Sequence, residues 1–309
     1  ETLFTTQQPY SVFTFSDNLS GLPIGIFGVS FAVAAFPALS EYFMKKDPEN
    51  YFDTFFGSLR SILFWILPLT VFFYVLRAQI VRVALGAGKF NWTDTRLTAA
   101  SLGIMVIAMV SNSVIPILIR SFYALGNTKR PLLINLFTAV FTVALAFLFI
   151  GLIQHNTTFS FFLNKTFKVE GIKGTAVLGV ALALSIGTLS DLFLLTMGSI
   201  KEAKRKFKLP KDYYIKTPWM AITKMFVSAL IAGFISFEVL RLVNKFITLD
   251  TFKGVLTQGA LAFAAGSLAY GLLLYALGNK EIRNLMEIFK RRMMRLKFLP
   301  WAWGNEEQI

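Results

Sequence analysis

The sequence predicts an all-α protein, a polytopic bundle of transmembrane helices, and three observations lead to that class. Of the 309 residues, 55% are hydrophobic and only 16% are charged, whereas soluble domains carry about 25% charged residues. The mean hydropathy is +0.60. The charged residues lie between long apolar runs. A run of about 20 apolar residues spans a bilayer core, and a core helix of a soluble protein is shorter.

Seven apolar runs are long enough to cross a membrane. Because a spanning segment must satisfy its backbone hydrogen bonds internally, each run is predicted to be helical almost throughout. In chain order the predicted helices are A at 13–43, B at 53–84, C at 92–124, D at 131–152, E at 175–200, F at 217–240 and G at 254–278.

Proline and glycine mark special positions in the first three helices. Pro37, Pro68 and Pro116 lie inside helices A, B and C, and each removes a backbone hydrogen bond and predicts a kink. The kinks fit either tolerated bending or hinges in a moving bundle. Gly25 and Gly28 in helix A are interpreted as sites of close helix packing rather than of ligand binding.

Several kinds of chemistry are excluded by composition. The chain has no cysteine and one histidine, His155, which the pattern places in a loop. Disulfides, thiolate chemistry and histidine-based metal sites or triads are therefore ruled out. With no glycine-rich phosphate loop and no carboxylates paired at a fixed spacing, we expect neither an enzyme nor a cofactor or metal.

The basic residues predict an orientation in the membrane. The net charge is +14, and the two densest basic runs lie at 201–216 and 280–297, two helices apart and therefore on one side. That side is predicted to be cytoplasmic, with the C-terminus inside and the N-terminus outside. The excess charge lies beside apolar runs, which favours anionic lipid over nucleic acid as its partner.

The tail after helix G is predicted to form an amphipathic helix. Its apolar residues recur three or four positions apart and most of its basic residues fall on the opposite side. This pattern fits either a helix in the headgroup region or an ordinary basic tail beside the membrane. The apolar positions are Ile282, Leu285, Met286, Phe289, Met293 and Leu296.

Polar groups inside the predicted spans are candidates for a substrate path. An aspartate at the centre of a membrane helix costs roughly 2.5–3.5 kcal/mol, so each such group needs a partner or a wet cavity. Asp17 and Asn18 lie near the outer end of helix A, and Asp191 lies well inside helix E. For Asp191, a hydrogen bond to a neighbouring helix and a functional role stay equally open.

Helix C carries the other two candidates. Asn112 stands between Ser111 and Ser113 in mid-helix, where such residues either join helices by hydrogen bonds or line a cavity. Arg120 ends the helix beside the predicted cytoplasmic loop. It is either an anchor in the headgroup region or a cation on the path of an anionic substrate.

Several segments resemble one transporter family in the right order. Residues 16–31 read SDNLSGLPIGIFGVSF and continue to FPALS at 36–40. They resemble the eighth helix of the MurJ (MviN) family of lipid II flippases, whose pattern is A-D-R-L-x-x-L-P-x-G-x-F-G-V-A and then L-P-x-L-S. Residues 120–131, RSFYALGNTKRP, resemble the R-x-F-Y-A-L-x-D-T-x-x-P segment between helices ten and eleven. Gly88-Lys89-Phe90 matches a G-x-F element, and Gly171 and Gly174 resemble the start of helix twelve.

The resemblance implies a partial fold of the multidrug/oligosaccharidyl-lipid/polysaccharide exporter type. Helices A to G would be helices eight to fourteen of fourteen. Residues 1–200 would form a C-terminal transporter lobe without its first helix, and 201–278 the final helix pair with a groove for the lipid tail. Residues 279–309 would form a cytoplasmic amphipathic basic tail. The missing N-terminal lobe of the same protein is then an expected partner.

The function implied by the resemblance is flipping of undecaprenyl-pyrophosphate-linked lipid II across the bacterial cytoplasmic membrane by alternating access. The sequence departs from the family at Asn18, which replaces an arginine that would meet the pyrophosphate. Helix D has no carboxylate, so the sodium site of some members is not expected.

Three other interpretations of the function stay open. They are a flippase for another polysaccharide-linked lipid of the same superfamily, a non-transporting pseudo-flippase scaffold, and a half-protein without activity of its own. A retinal protein is excluded, because helix G has no lysine for a Schiff base.

Overall fold

The computed structural model describes residues 7–86, 92–210, 213, 217–247 and 251–295, and no β-strand occurs among them. The predicted all-α class is therefore confirmed. The helices are α1 Gln7–Pro23, a π-helical turn at Ile24–Val29, α2 Ser30–Met44, α3 Pro48–Val75, α4 Arg77–Leu85, α5 Trp92–Ala124, α6 Lys129–His155, α7 Thr157–Phe167, α8 Val177–Lys206, α9 Trp219–Val243, α10 Phe252–Ala276 and α11 Lys280–Arg295.

Seven segments of the described chain are long and apolar enough to cross a membrane, as predicted. Helix A corresponds to α1, the π turn and α2, which together give the span Tyr10–Met44. Helix C corresponds to α5 with the predicted bounds, and D, E, F and G correspond to α6, α8, α9 and α10. The predicted tail helix is present as α11.

Helix A continues through Pro37, but its hydrogen bonding changes after Pro23. Proline has no backbone N–H and cannot donate to the preceding turn. The next six residues, Ile24–Val29, form a π turn, and α-helical bonding resumes at Ser30. Pro68 and Pro116 likewise lie inside unbroken helices. The irregularity of helix A therefore follows a proline other than the one predicted to kink it.

Helix B was predicted as one helix over 53–84, and this is wrong. Two helices, α3 and α4, meet at Leu76, where φ is −95° and ψ is 12°. The start also lies earlier, because Asp47 caps α3 by accepting a hydrogen bond from the Asn50 backbone N–H at 3.1 Å. Hydrogen bonds from the side chain and backbone of Asn50 hold the pKa of Asp47 below its usual value.

The connection between helices D and E holds a further helix, α7. Asn156 caps it by accepting a hydrogen bond from the Phe159 backbone N–H at 3.0 Å. The prediction that His155 lies in a loop is also wrong, because His155 is the last residue of α6. Some predicted features lie outside the described residues or side chains: Gly88-Lys89-Phe90, the basic residues Lys211 and Lys216, and the side chains of Phe289, Met293 and Leu296.

Helix α5 is the centre of the bundle. It packs against α8, α3, α1, α2, the π turn and α4. Of its most apolar 18-residue stretch, 67% is buried. Helix α6 packs mainly against α8, and only 11% of its most apolar 18-residue stretch is buried. The final pair, α9 and α10, pack on each other and reach the rest of the bundle chiefly through α3 and α4.

Candidate substrate-facing surface

The exposed side of helix A is partly polar. Its exposed residues recur at helical spacing along one side of α1, the π turn and α2. They include Asp17, Asn18, Leu22, Gly25, Ile26, Val29, Ser30 and Val33. A carboxylate and an amide are costly against acyl chains, so this side suits water or polar helices rather than lipid.

Helix α6 exposes a different kind of surface. Between Leu132 and Leu148 every exposed side chain is aliphatic or aromatic, and Phe137 and Phe141 stack at 6.4 Å between ring centroids. Such a surface matches lipid acyl chains. The exposed large residues of α6 are Leu132, Leu133, Leu136, Phe137, Val140, Phe141, Val143, Phe147 and Leu148. The exposed side of helix A therefore suits water or polar helices, whereas the exposed side of α6 suits lipid acyl chains.

The π turn holds helix A tightly against α5. A Cβ atom added at Gly28 would lie 2.7 Å from the Ser113 Cα atom, so only glycine fits there. Phe27 stacks on Trp65 of α3 with ring centroids 5.1 Å apart. The close-packing interpretation is thus confirmed for Gly28. It is wrong for Gly25, which is exposed and has open space where a Cβ atom would be.

Helix α5 carries a half-buried stripe that includes two predicted site residues. Asn112, Pro116 and Arg120 are four residues apart, so they share one side of the helix. Their neighbours Ser113 and Ser121 are buried. Among the described residues, Arg120 has no hydrogen-bond or ion-pair partner. Its guanidinium is therefore available to an anion.

The predicted site residues do not form one cluster. Ser16 donates a hydrogen bond to the Thr98 carbonyl at 3.1 Å, which places Asp17 and Asn18 near the start of α5. Arg120 lies 22 residues further along α5, or about 33 Å at a rise of 1.5 Å per residue. The first pair therefore lies near one end of the bundle and Arg120 near the other.

Asp191 faces α6 and is partly buried. Thr138 donates a hydrogen bond to its Oδ1 atom at 3.2 Å. The Asn135 amide, in the orientation that satisfies its neighbours, donates to the same oxygen at 3.2 Å and to the Pro131 carbonyl at 3.1 Å. One turn earlier, Gly187 lies directly against Thr142. Asp191 thus makes the interhelical hydrogen bond that one of its two interpretations predicted.

A buried carboxylate that the sequence analysis did not single out joins three segments. Glu202 of α8 is fully buried and accepts hydrogen bonds from Asn127 at 2.9 Å and from Arg205 at 2.5 Å. Arg130 forms an ion pair with it at 2.6 Å. Asn127 also caps α6 by accepting from the Arg130 backbone N–H. The sequence signal is that Glu202 is the only acidic residue in the basic run 201–208.

An apolar groove of about 380 Å³ lies between the α3–α4 junction and α10. Phe72, Leu76 and Ile80 line one side, and Leu256 and Phe263 of α10 line the other. Gly266 of α10 lies close to Phe72, where a Cβ atom would meet the ring at 2.6 Å. The groove is thus formed by one member of the final helix pair together with the preceding bundle.

Comparisons with known proteins match this chain to the family that its sequence motifs resemble. The family model described as "Lipid II flippase MurJ" matches residues 4–252. A probable lipid II flippase MurJ from Bdellovibrio bacteriovorus is 30% identical over 131 residues, which is 42% of this chain and 25% of the relative. One from Buchnera aphidicola subsp. Baizongia pistaciae is 24% identical over 276 residues, 89% of this chain and 48% of the relative.

A solved structure described as "Lipid II flippase MurJ, inward closed conformation" has the same fold. The TM-score is 0.59 at 19% identity, over 87% of this chain and 48% of the solved chain. The chain therefore spans about half the length, or less, of the relatives it matches.

Proposed function

The chain belongs to the lipid II flippase MurJ family, and from that premise we propose that it takes part in moving lipid II across the membrane. The cargo has a large anionic headgroup and a long apolar tail. We propose that the headgroup passes along the polar side of helix A and the α5 stripe. The tail then stays in the bilayer or enters the apolar groove beside α10.

The observation that carries this proposal is the contrast between the exposed sides of helix A and α6. Asp17, Asn18 and Ser30 are exposed on helix A, whereas the exposed residues of α6 between Leu132 and Leu148 are all apolar. A membrane protein that keeps a carboxylate exposed at a spanning helix places it against water or other protein. A wet path for a polar headgroup supplies such surroundings.

The proposed mechanism is alternating access, in which two lobes rock around a central path and no covalent chemistry is needed. The described chain would supply the C-terminal lobe without its first helix, together with the final helix pair, and the N-terminal lobe of the same protein would supply the other lobe. Arg120 would attract the pyrophosphate by a charge-assisted hydrogen bond. Helix A, held to α5 at Gly28, would then move together with α5 as one body.

We also propose the bacterial cytoplasmic membrane as the location, with the C-terminus in the cytoplasm. Lys204, Arg205 and Lys206 lie in the last turn of α8, and α11 begins shortly after α10 ends. Helices α9 and α10 lie between them, so both basic ends fall on one side if each helix spans. The positive-inside rule assigns that side to the cytoplasm.

The direct test is lipid II binding by the purified chain with Arg120→Gln. Hydrogen bonds to charged groups contribute about 1.5–3 kcal/mol, so affinity should fall roughly 10- to 100-fold. Lys129→Gln is the matched control, because it removes the same charge from an exposed position nine residues away. It should change affinity less than about threefold. Equal losses in the two variants would contradict a path past Arg120.

Transport itself is tested by growth rescue. The chain, co-expressed with the first half of the Buchnera relative, should restore growth to a strain depleted of its lipid II flippase. The full-length Buchnera relative provides the positive control. Binding without rescue would favour the scaffold alternative over transport.

One observation favours that scaffold, a non-transporting pseudo-flippase. At the outer end of helix A the exposed charge is the Asp17 carboxylate, next to the neutral amide of Asn18. A pyrophosphate would be repelled there. If Asn18→Arg raises lipid II affinity and enables rescue where the parent chain fails, the parent chain is a pseudo-flippase. If the parent rescues already, this alternative is wrong.

A further inference from the structure

Helix α11 starts at the surface of the bundle. It begins at Lys280, four residues after α10 ends at Ala276. Asn279 between them is buried and accepts a hydrogen bond from the Glu281 backbone N–H at 2.9 Å. Because α10 is a membrane span, so short a connection keeps the first turns of α11 at the membrane face.

One edge of α11 is tied to the protein. Glu281 forms an ion pair with Arg60 of α3 at 3.0 Å, and its side chain is only 15% exposed. Ile282 and Leu285 pack against the main core cluster. The acidic group of this edge is therefore neutralised, and the rotation of α11 about its own axis is fixed.

The other edge of α11 is exposed and combines two cations with an apolar side chain. Arg283, Met286 and Lys290 are all exposed. At about 100° per residue they fall within roughly 60° of one another and lie nearly opposite Glu281. Glu287, which is also exposed, lies beside this edge, about 40° around the helix from Arg283.

We infer that this edge, Arg283–Met286–Lys290, binds the headgroups of anionic phospholipids in the leaflet that α11 adjoins. Met286 would enter the acyl boundary while the guanidinium and ammonium groups reach the phosphates, since long basic side chains lie along apolar surface with their charges at the headgroups. Opposite charge selects anionic over zwitterionic lipid. The inference is independent of the transported cargo.

The test uses the absence of cysteine from the chain. Met286→Cys in the full chain gives a single site for an environment-sensitive fluorophore. Phosphatidylglycerol or phosphatidylcholine is then titrated into the protein in a nonionic detergent. Phosphatidylglycerol should change the emission at far lower concentration than phosphatidylcholine. A label at Asn284→Cys, on the side of the helix facing away from the apolar residues, should respond little.

Charge removal decides whether the edge itself binds. Arg283→Gln with Lys290→Gln, made in the labelled chain, should weaken apparent phosphatidylglycerol affinity roughly 30-fold, about fivefold for each basic residue. Lys201→Gln with Lys206→Gln removes as much charge from exposed positions on α8 and should weaken it less than about threefold. Unchanged thermal unfolding in detergent alone confirms that both pairs fold.

Either of two results would overturn the inference. One is equal response to phosphatidylglycerol and phosphatidylcholine in the parent chain. The other is equal loss of affinity in the two double variants, which would mean that the whole basic surface attracts lipid without a defined edge.

Discussion

Helices α5 and α6 are consecutive, similar in length and both strongly apolar, yet they occupy opposite environments. The most apolar 18-residue stretch of α5 is 67% buried, and the corresponding stretch of α6 is 11% buried. Helix α6 is the more hydropathic of the two. In a soluble protein the more apolar helix would be expected inside. Here it is the more exposed one, because the surrounding solvent is lipid.

The difference lies in small and hydroxyl-bearing residues. Buried on α5 are Thr95, Thr98, Ser101, Ser111, Ser113 and Ser121. Lipid tails are as apolar as leucine, so burying leucine against another helix brings little advantage, whereas close backbone approach and interhelical hydrogen bonds do stabilise. Gly28 against Ser113 and Ser185 donating to the Ile104 carbonyl at 3.0 Å are examples around α5.

The largest expected effect concerns backbone approach to α5. Gly28→Leu places a side chain where the Ser113 backbone lies, and overpacking of this kind costs about 3 kcal/mol in the free energy of unfolding. Gly25→Leu, three residues away in open space, should cost less than about 0.5 kcal/mol. Denaturant unfolding in detergent micelles measures both. Similar losses would mean that glycine matters through local helix geometry and not through packing on α5.

Truncation of apolar side chains should separate the two helices next. Leu102→Ala on α5 removes a fully buried side chain and should cost about 2 kcal/mol through the cavity it leaves. Phe147→Ala on α6 removes a larger side chain that is 73% exposed, and lipid can fill the space, so the cost should be below about 0.5 kcal/mol. The same unfolding assay applies, and a larger loss at Phe147 would show that α6 packs against protein.

The junction between the two helices depends on Asn127. Asn127→Asp keeps the cap of α6 but loses the donor to Glu202 and brings a second carboxylate to within about 3 Å of it. We expect a loss of about 1.5 kcal/mol at neutral pH. The loss should shrink as the pH falls and one carboxylate is protonated. Asn127→Ser, which keeps a capping oxygen without the charge, is the control, and a pH-independent loss in the aspartate variant would contradict the account.

The smallest effect is expected where α6 meets α8. Thr138→Val removes one of the two α6 donors to Asp191 with little change in shape, and interhelical hydrogen bonds in membranes contribute about 0.6 kcal/mol. Thr166→Val, which removes only a hydrogen bond within α7, is the comparison. A loss of several kcal/mol at Thr138 would mark Asp191 as a far stronger organiser of the bundle than its single bond to Thr138 suggests.

Sequence patterns predicted the spans because membrane length and apolar composition are properties of each segment alone. They did not predict the helix break at Leu76 or the extra helix α7, since these depend on local backbone angles and on a cap by Asn156. Gly25 and Gly28 look alike in sequence and differ only in what lies opposite each one.

The candidate surface was foreseen in part. Asp17, Asn18, Asn112 and Arg120 were identifiable as polar residues in apolar runs, but their separation along α5 was not. Glu202 was missed because it lies in the basic run 201–216, a pattern that is typical of a solvated loop between helices. Its burial follows from tertiary packing of the α5–α6 connection on α8, which no local pattern records.

The π turn at Ile24–Val29 also determines where helix A can change length. A single π turn holds one residue more than the α-helix it interrupts. Deleting one residue there restores α-helical hydrogen bonding. The buried and exposed sides of α1 and α2 then keep their orientation relative to each other. A deletion elsewhere in helix A would rotate everything beyond it by about 100°. Deletion of a single residue should therefore be tolerated better at this turn than elsewhere in helix A.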